Sequence, residues 1–152
     1  MSRAFVKETD AVEELPDRLI SEHRNLVTPE GLALIEAEVE RLHAELAEAQ
    51  TSDDRDAMQR AQRDLRYWKQ RLATAEVQSP PTDTSVVAFG SLVTLERDDG
   101  RVQKYRIVGE DESNPTKGKI SYASPLAQAL MEKGVGDVVH AGTGEAEIVK
   151  IE

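Results

Sequence analysis

The chain has 152 residues, of which 32% are charged, and its formal net charge is −10. An acidic protein is repelled by nucleic-acid backbones, so the composition argues against autonomous DNA or RNA binding. The chain contains no cysteine, which excludes disulfides, thiol catalysis and thiolate zinc sites.

No apolar run approaches the ~18 residues that a membrane-spanning helix needs. The first ten residues carry charged side chains where a signal peptide would be apolar. We therefore expect a cytoplasmic protein that does not associate with membranes.

Residues 1–26 mix charges with isolated apolar side chains and contain Pro16, and no helical or strand period persists there. This segment is predicted to be a weakly ordered N-terminal tail. Its apolar side chains are expected to lie against the rest of the protein. They are Phe5, Val6, Leu15, Leu19 and Ile20.

Two apolar heptad series follow, and they mirror each other about a point between Asp53 and Asp54. Two such series can meet layer by layer, which predicts an antiparallel helical hairpin over residues 27–78. Thr28 and Pro29 are a helix start signal, and Ser52 or Asp53 is predicted to cap the return helix. The two seams are Leu32, Ile35, Val39, Leu42, Leu46 and Ala49, then Met58, Ala61, Leu65, Trp68, Leu72 and Ala75.

Glutamates dominate the first helix, and arginines and lysine dominate the second. The antiparallel register places Glu36 beside Lys69 and Glu38 beside Arg71, in exposed pairs worth about 0.2–1 kcal/mol each. A basic stripe on the second helix is either a solvated face or a surface for an acidic partner. It consists of Arg60, Arg63 and Arg66.

Residues 79–83 contain two prolines, which end the helix and form a linker. Beyond it the apolar period changes from heptads to alternation, and residues 84–152 are predicted to form five strands and one short helix. Ser124 and Pro125 open that helix, over residues 126–133, and Gly134 closes it. The predicted fold class is therefore α+β: a helical hairpin followed by a small antiparallel-sheet domain.

Four stretches of this sequence resemble the GreA/GreB transcript-cleavage and elongation factors of bacterial RNA polymerase. The resemblance covers roughly residues 26–152 and is to a short-hairpin, GreB-like variant. The stretches are Thr28-Pro29-Glu30-Gly31, Phe89-Gly90, Tyr105-Arg106-Ile107-Val108-Gly109, and Ser124-Pro125-Leu126-Ala127 with Ala129-Leu130 and Val135-Gly136-Asp137.

The resemblance implies an FKBP-like C-terminal domain that docks at the rim of the polymerase secondary channel through Ser124, Pro125 and Leu126. The hairpin would then enter the channel toward the catalytic magnesium. Because a self-paired hairpin leaves little apolar seam for a second chain, a monomer is expected, with no cofactor and no catalytic site of its own. Such a protein would at most stimulate the RNA cleavage that belongs to the polymerase.

The predicted tip of the hairpin departs from the family pattern. Cleavage-competent members carry Asp-x-x-Glu-Asn, whereas this chain reads Asp53-Asp54-Arg55-Asp56-Ala57. The acid spacing is kept, but aspartate replaces glutamate, alanine replaces asparagine, and each arm is several turns shorter than in full-length cleavage factors. The expected function is therefore regulation of elongation with weak or no cleavage stimulation.

Two alternatives stay open. In the first, Asp53, Asp54 and Asp56 supply carboxylates to the polymerase magnesium, which prefers oxygen ligands, and cleavage is stimulated. In the second, the protein resembles the regulators of nucleoside diphosphate kinase, which share this architecture with a stubbier coiled coil. The tip acids could also serve only to cap the return helix.

Overall fold

The computed structural model describes residues 14–152, so the expectations for Phe5 and Val6 lie outside the described residues. The chain divides into two compact units. Of the described residues, the first unit contains 14–21 together with 36–73, and the second contains 22–35 and 74–152. None of the helices in the described part of the chain is long and apolar enough to cross a membrane.

Two long helices form the N-terminal part of the fold. Helix α1 spans Pro29–Thr51 and helix α2 spans Arg55–Thr74. Every predicted seam residue is buried or half-buried. The most buried seam residues within the first unit are Leu42, Ala49, Ala61 and Leu65, at 1%, 4%, 1% and 6% exposure. The two heptad series therefore predicted the helices and their inner faces correctly.

The predicted ion pairs between the helices are wrong. Among residues 14–152 no ion pair joins Glu36 to Lys69 or Glu38 to Arg71, and Arg71 is only 2% exposed. Glu38 instead accepts from Arg41 at 2.7 Å, and Arg41 also pairs with Glu45 at 2.6 Å. Arg41 lies three and four residues from these glutamates on the same helix, where side chains are direct neighbours.

Residues 15–18 contact α2 through polar groups. Asp17 accepts from Arg66 at 2.6 Å, and the guanidinium of Arg18 lies 3.9 Å from the ring centre of Tyr67. The expected apolar contacts are largely absent, because Leu19 is 96% and Ile20 is 42% exposed, and Leu15 alone is half-buried. The prediction was wrong for Leu19, whereas Ile20 is partly covered and lines a cleft with Tyr67 and Gln70 of α2.

A short parallel pairing ends the helical region and was not predicted. Strand β1, Leu26–Val27, pairs with strand β2, Glu76–Val77. The amide of Glu76 donates to the carbonyl of Asn25 at 2.8 Å, and the side-chain amide of Asn25 donates to Thr74 at 3.2 Å. These bonds hold residues 76–77 in a strand, so α2 ends at Thr74, before the predicted end of the hairpin at residue 78.

An ion pair joins the segments around these two strands, and its pH dependence can be predicted. Arg24 donates to Glu76 at 2.7 Å, and this hydrogen bond lowers the pKa of Glu76 below its ordinary value. A carboxyl whose pKa is lower in the folded state stabilises the fold above its unfolded pKa. That contribution is lost as the pH falls through the folded pKa.

We expect Arg24→Gln to raise the pKa of Glu76 toward its ordinary value, which a carboxyl-carbon NMR titration would measure. The internal control is Asp83, whose pKa is lowered by a hydrogen bond from the Ser85 hydroxyl. An unchanged Glu76 titration in the variant would contradict this assignment.

The C-terminal sheet has five strands in the order β5-β4-β3-β7-β6. All neighbours are antiparallel except β4 and β5, which are parallel. Together with helices α1 and α2 this confirms the predicted α+β class. The strands are β3 Leu92–Arg97, β4 Val102–Val108, β5 Lys119–Ser121, β6 Val138–Ala141 and β7 Gly144–Ile151.

The short helix α3 spans Pro125–Leu130 and packs on the sheet core, where Val93, Leu95, Ile107 and Ile148 have 0% exposure. It ends earlier than the predicted Lys133. Glu132 has a φ of 69°, which ends the helix in a turn over residues 131–132. The amide of Glu132 donates to the carbonyl of Val87, and the amide of Val87 donates to the carbonyl of Lys133.

The start of α1 is fixed by a carboxylate from far along the chain. Thr28 accepts a hydrogen bond from the amide of Gly31 at 3.0 Å, which confirms the predicted cap. In a capping box the residue at the position of Gly31 would be Glu or Gln and would accept from the Thr28 amide. Here Glu112, which is 8% exposed, accepts from the amides of Thr28 and Gly109 at 3.0 Å each and from the Thr28 hydroxyl.

Glu112 lies in a 3₁₀ turn, Glu110–Glu112, and its carboxylate completes two helical N-termini at once. A Cβ added at Gly31 would lie 2.2 Å from the Glu112 carboxyl carbon. The glycine of the Thr-Pro-Glu-Gly stretch is therefore explained by the volume that this distant carboxylate occupies.

Candidate functional site

Residues 52–54 join α1 to α2, and the turn begins with a Schellman motif. The amide of Asp54 donates to the carbonyl of Ala49 at 2.9 Å, and the amide of Asp53 donates to the carbonyl of Gln50 at 3.3 Å. Asp53 has a φ of 53°, which is the left-handed conformation that this motif requires after the helix end. The motif satisfies the last carbonyls of α1 and reverses the chain within three residues.

Asp54 caps the return helix. Its Oδ1 accepts from the amide of Ala57 at 3.1 Å, and its carbonyl accepts from the amide of Met58 at 2.9 Å. The prediction of Ser52 or Asp53 as the cap was therefore wrong. Asp53 is needed in the left-handed turn position, and the Ser52 hydroxyl donates back to the carbonyl of Glu48 at 2.9 Å.

The three predicted tip carboxylates are close in sequence but differ in their surroundings. Asp53, Asp54 and Asp56 are all exposed, and within residues 14–152 no hydrogen bond reaches the carboxylate of Asp53 or Asp56. No group of three or more His, Asp or Glu side chains in this described part of the chain could hold a metal ion. A metal ion at the tip would need further ligands from another molecule.

The left-handed residue at the tip gives a stability prediction. Glycine adopts a positive φ without the steric cost that aspartate bears, so Asp53→Gly should stabilise the protein by about 0.5–1 kcal/mol. Chemical denaturation would measure this gain. Asp56→Gly is the matched control, because it removes the same side chain from the first turn of α2 and should destabilise by about 1 kcal/mol. A loss of stability in both variants would contradict the assigned turn.

The candidate docking residues lie together at the start of α3. The Ser124 hydroxyl accepts from the amide of Ala127 at 3.2 Å, so this residue caps its helix. Pro125 occupies the first turn and is exposed, whereas Leu126 is half-buried against the sheet core. Of these three side chains Pro125 is the one that a partner could contact most completely.

Tyr122 was not singled out from the sequence, yet it braces the segment before α3. Its ring meets Phe89 edge to face, with 5.7 Å between ring centres, and its hydroxyl donates to the carbonyl of Arg24. Gln128 donates to the Tyr122 carbonyl at 2.6 Å. These contacts join the residue before the candidate docking segment to Phe89, Arg24 and Gln128, and no local sequence pattern predicts them.

Comparison with known proteins identifies the family to which this chain belongs. The family described as the C-terminal part of the GreA/GreB transcription elongation factors matches residues 81–152. A transcription elongation factor GreB from Xanthomonas axonopodis pv. citri is 39% identical over 132 residues, which cover 74% of this chain and 79% of that protein. The chain belongs to the GreA/GreB family.

A second GreA/GreB family member, GreB from Pseudomonas aeruginosa, is 34% identical over 150 residues, covering 84% of this chain and 89% of that protein. Among solved structures, Gfh1 of Thermus thermophilus, a GreA factor homologue, is 27% identical and covers 86% of this chain and 99% of its own, with a TM-score of 0.41. The sequence relatives confirm the prediction of a GreA/GreB-type transcription elongation factor.

Proposed function

We propose that this GreA/GreB family protein binds bacterial RNA polymerase at the secondary channel and regulates elongation with little or no stimulation of RNA cleavage. It acts as a monomer in the cytoplasm, where bacterial transcription takes place. It has no catalytic site of its own.

The geometry of the tip supports weak or absent cleavage stimulation. Mg²⁺ requires near-octahedral oxygen ligation at short distances, so carboxylates that recruit it must be free and correctly placed. Asp54 is engaged as the cap of α2, and Asp53 is held in a tight left-handed turn. Asp56 is one methylene shorter than the glutamate of cleavage-competent relatives. The carboxylates of this tip therefore extend less far toward a metal ion than those of the family pattern.

One observation favours the alternative of cleavage stimulation. Asp53 and Asp56 keep the acid spacing of the family, and both carboxylates are exposed without hydrogen bonds in the described chain. If these two groups help to hold the polymerase magnesium, each would be required for cleavage.

Two assays separate these functions. Labelled protein should bind core RNA polymerase, and a full-length GreB should compete for the same site. Backtracked transcription complexes should then remain uncut, or nearly so, when this protein is added. The alternative of cleavage stimulation would be established if the unchanged protein caused release of 3′ RNA fragments and the Asp53→Ala and Asp56→Ala variants did not. Absence of polymerase binding at micromolar concentration would remove both proposals.

We propose that docking uses the start of α3, with Pro125 as its exposed centre. Pro125→Asp places a charge at this surface, at a helix position that tolerates an acid. Polymerase affinity should fall at least tenfold while the protein stays folded by circular dichroism. Thr143→Asp, in the exposed β6–β7 turn, is the matched control and should bind normally. Equal affinity of both variants would locate the docking surface elsewhere.

A further inference from the structure

Residues 15–18 contact helix α2 through hydrogen bonds, ion pairs and cation–π contacts. Arg66 donates to the Asp17 carboxylate at 2.6 Å and to the carbonyl of Leu15 at 3.2 Å. Arg18 donates to Asp64 at 3.4 Å and lies over the ring of Tyr67 at 3.9 Å. The segment therefore places one acid and one base on complementary groups of the helix.

The covered helix is basic, although the chain as a whole is acidic. Helix α2 contains six basic and two acidic residues, whereas α1 contains six acidic residues and one base. Arg66 belongs to the basic stripe with Arg60 and Arg63. An acidic partner surface that approached this stripe would meet Arg66 already paired with Asp17.

The contacts that hold the segment are of the kind that solvent and salt weaken. Asp17 is 73% exposed and Arg18 is 39% exposed. Leu19, the next residue, is 96% exposed and provides no apolar anchor. Exposed ion pairs contribute little to stability and are screened by salt, so a partner with several acids could replace the contacts of Asp17 and Arg18.

We propose that residues 15–18 form a displaceable strap that occupies Arg66 in the free protein and is released when an acidic surface of the polymerase binds the stripe. This rests on the proposed binding to RNA polymerase. The strap would lower the affinity of the free protein for its partner, because binding must first break the Asp17–Arg66 pair.

The absence of cysteine allows a single spin label to follow the strap. A nitroxide on Leu19→Cys, at an exposed site beside the strap, should be partly immobilised in the otherwise unchanged protein. Adding Asp17→Lys should make it mobile. Glu22→Lys is the matched control, because it makes the same charge change at another exposed position, and its label should stay immobilised. Addition of polymerase should mobilise the label in the otherwise unchanged protein.

Affinity for core polymerase completes the test. At low salt Asp17→Lys should bind about 3–10 times more tightly than Glu22→Lys, since both carry the same net charge and only one has lost the strap. Equal polymerase affinity of the two variants, or equal mobility of the label in them, would contradict the proposal of a displaceable strap. If the label is immobilised but no variant binds polymerase, both the proposed function and the role of the strap in polymerase binding are contradicted. Normal polymerase binding with a mobile label in the otherwise unchanged protein would contradict the strap but leave the proposed function standing.

Discussion

Glu112→Ala is expected to destabilise the protein by about 3–5 kcal/mol, because it removes a buried carboxylate that accepts three hydrogen bonds. The amides of Thr28 and Gly109 would be left buried without an acceptor. Glu112→Gln keeps one acceptor oxygen and should cost less, about 1–2 kcal/mol. Urea denaturation followed by circular dichroism would measure both losses.

Glu145→Gln is the control for loss of a negative charge. Glu145 is exposed on strand β7, and its substitution should change the free energy of unfolding by less than about 0.5 kcal/mol. If Glu112→Ala cost as little as Glu145→Gln, the carboxylate would not be what holds the start of α1.

Gly31→Ala is expected to destabilise the protein by about 3 kcal/mol, as overpacking in a rigid interior does. At an ordinary helix position the same change stabilises by about 0.5–1 kcal/mol, so the predicted sign is reversed. The reason is steric: the new methyl group would lie 2.2 Å from the Glu112 carboxyl carbon. The midpoint of urea denaturation would give the sign directly.

The double variant Gly31→Ala, Glu112→Ala tests that reason. With the carboxylate removed, the alanine methyl has room, and the added cost of Gly31→Ala should largely disappear. Ala33→Gly, at an exposed position of the same helix, reports the ordinary propensity effect and should cost about 1 kcal/mol. Additive costs in the double variant would show that the strain at Gly31 has another origin.

The parts of the fold that depend on local periodicity could be predicted from the sequence. The mirrored heptads predicted both helices and the inner face of each, because apolar spacing along a helix is a local property. The change to alternation after residue 83 predicted the strands in the same way. The Thr28 cap and the Ser124 cap were correct for the same reason, since each depends on residues within one turn.

The parts that depend on distant residues could not be predicted. Glu112 lies 84 positions from Thr28, and nothing near it in sequence indicates that it completes a helix start. The pairing of β1 with β2 involves only two residues on each side. Nothing in the sequence around Asp17 and Arg18 predicts their contacts with Arg66 and Tyr67, which lie 49 positions away.

The sequence predicted which residues form the candidate tip but not the role of each of them in the turn. The sequence places three aspartates around the chain reversal, but which of them caps α2 depends on where the Schellman motif ends. That motif takes Asp53 for its left-handed position and leaves the capping role to Asp54. The docking segment was named from its resemblance to the family, and its contribution to binding is still a prediction.

The arms of the hairpin are anchored at their base by two independent devices, the carboxylate of Glu112 at the beginning of α1 and the β1–β2 pairing after the end of α2. Neither device includes a residue of the turn at 52–54. Insertion or deletion of matched heptads in both helices would therefore leave these two devices intact and change only the length of the helices. Within one architecture, evolution could adjust the length of the hairpin in steps of about 10 Å, given a rise of ~1.5 Å per residue.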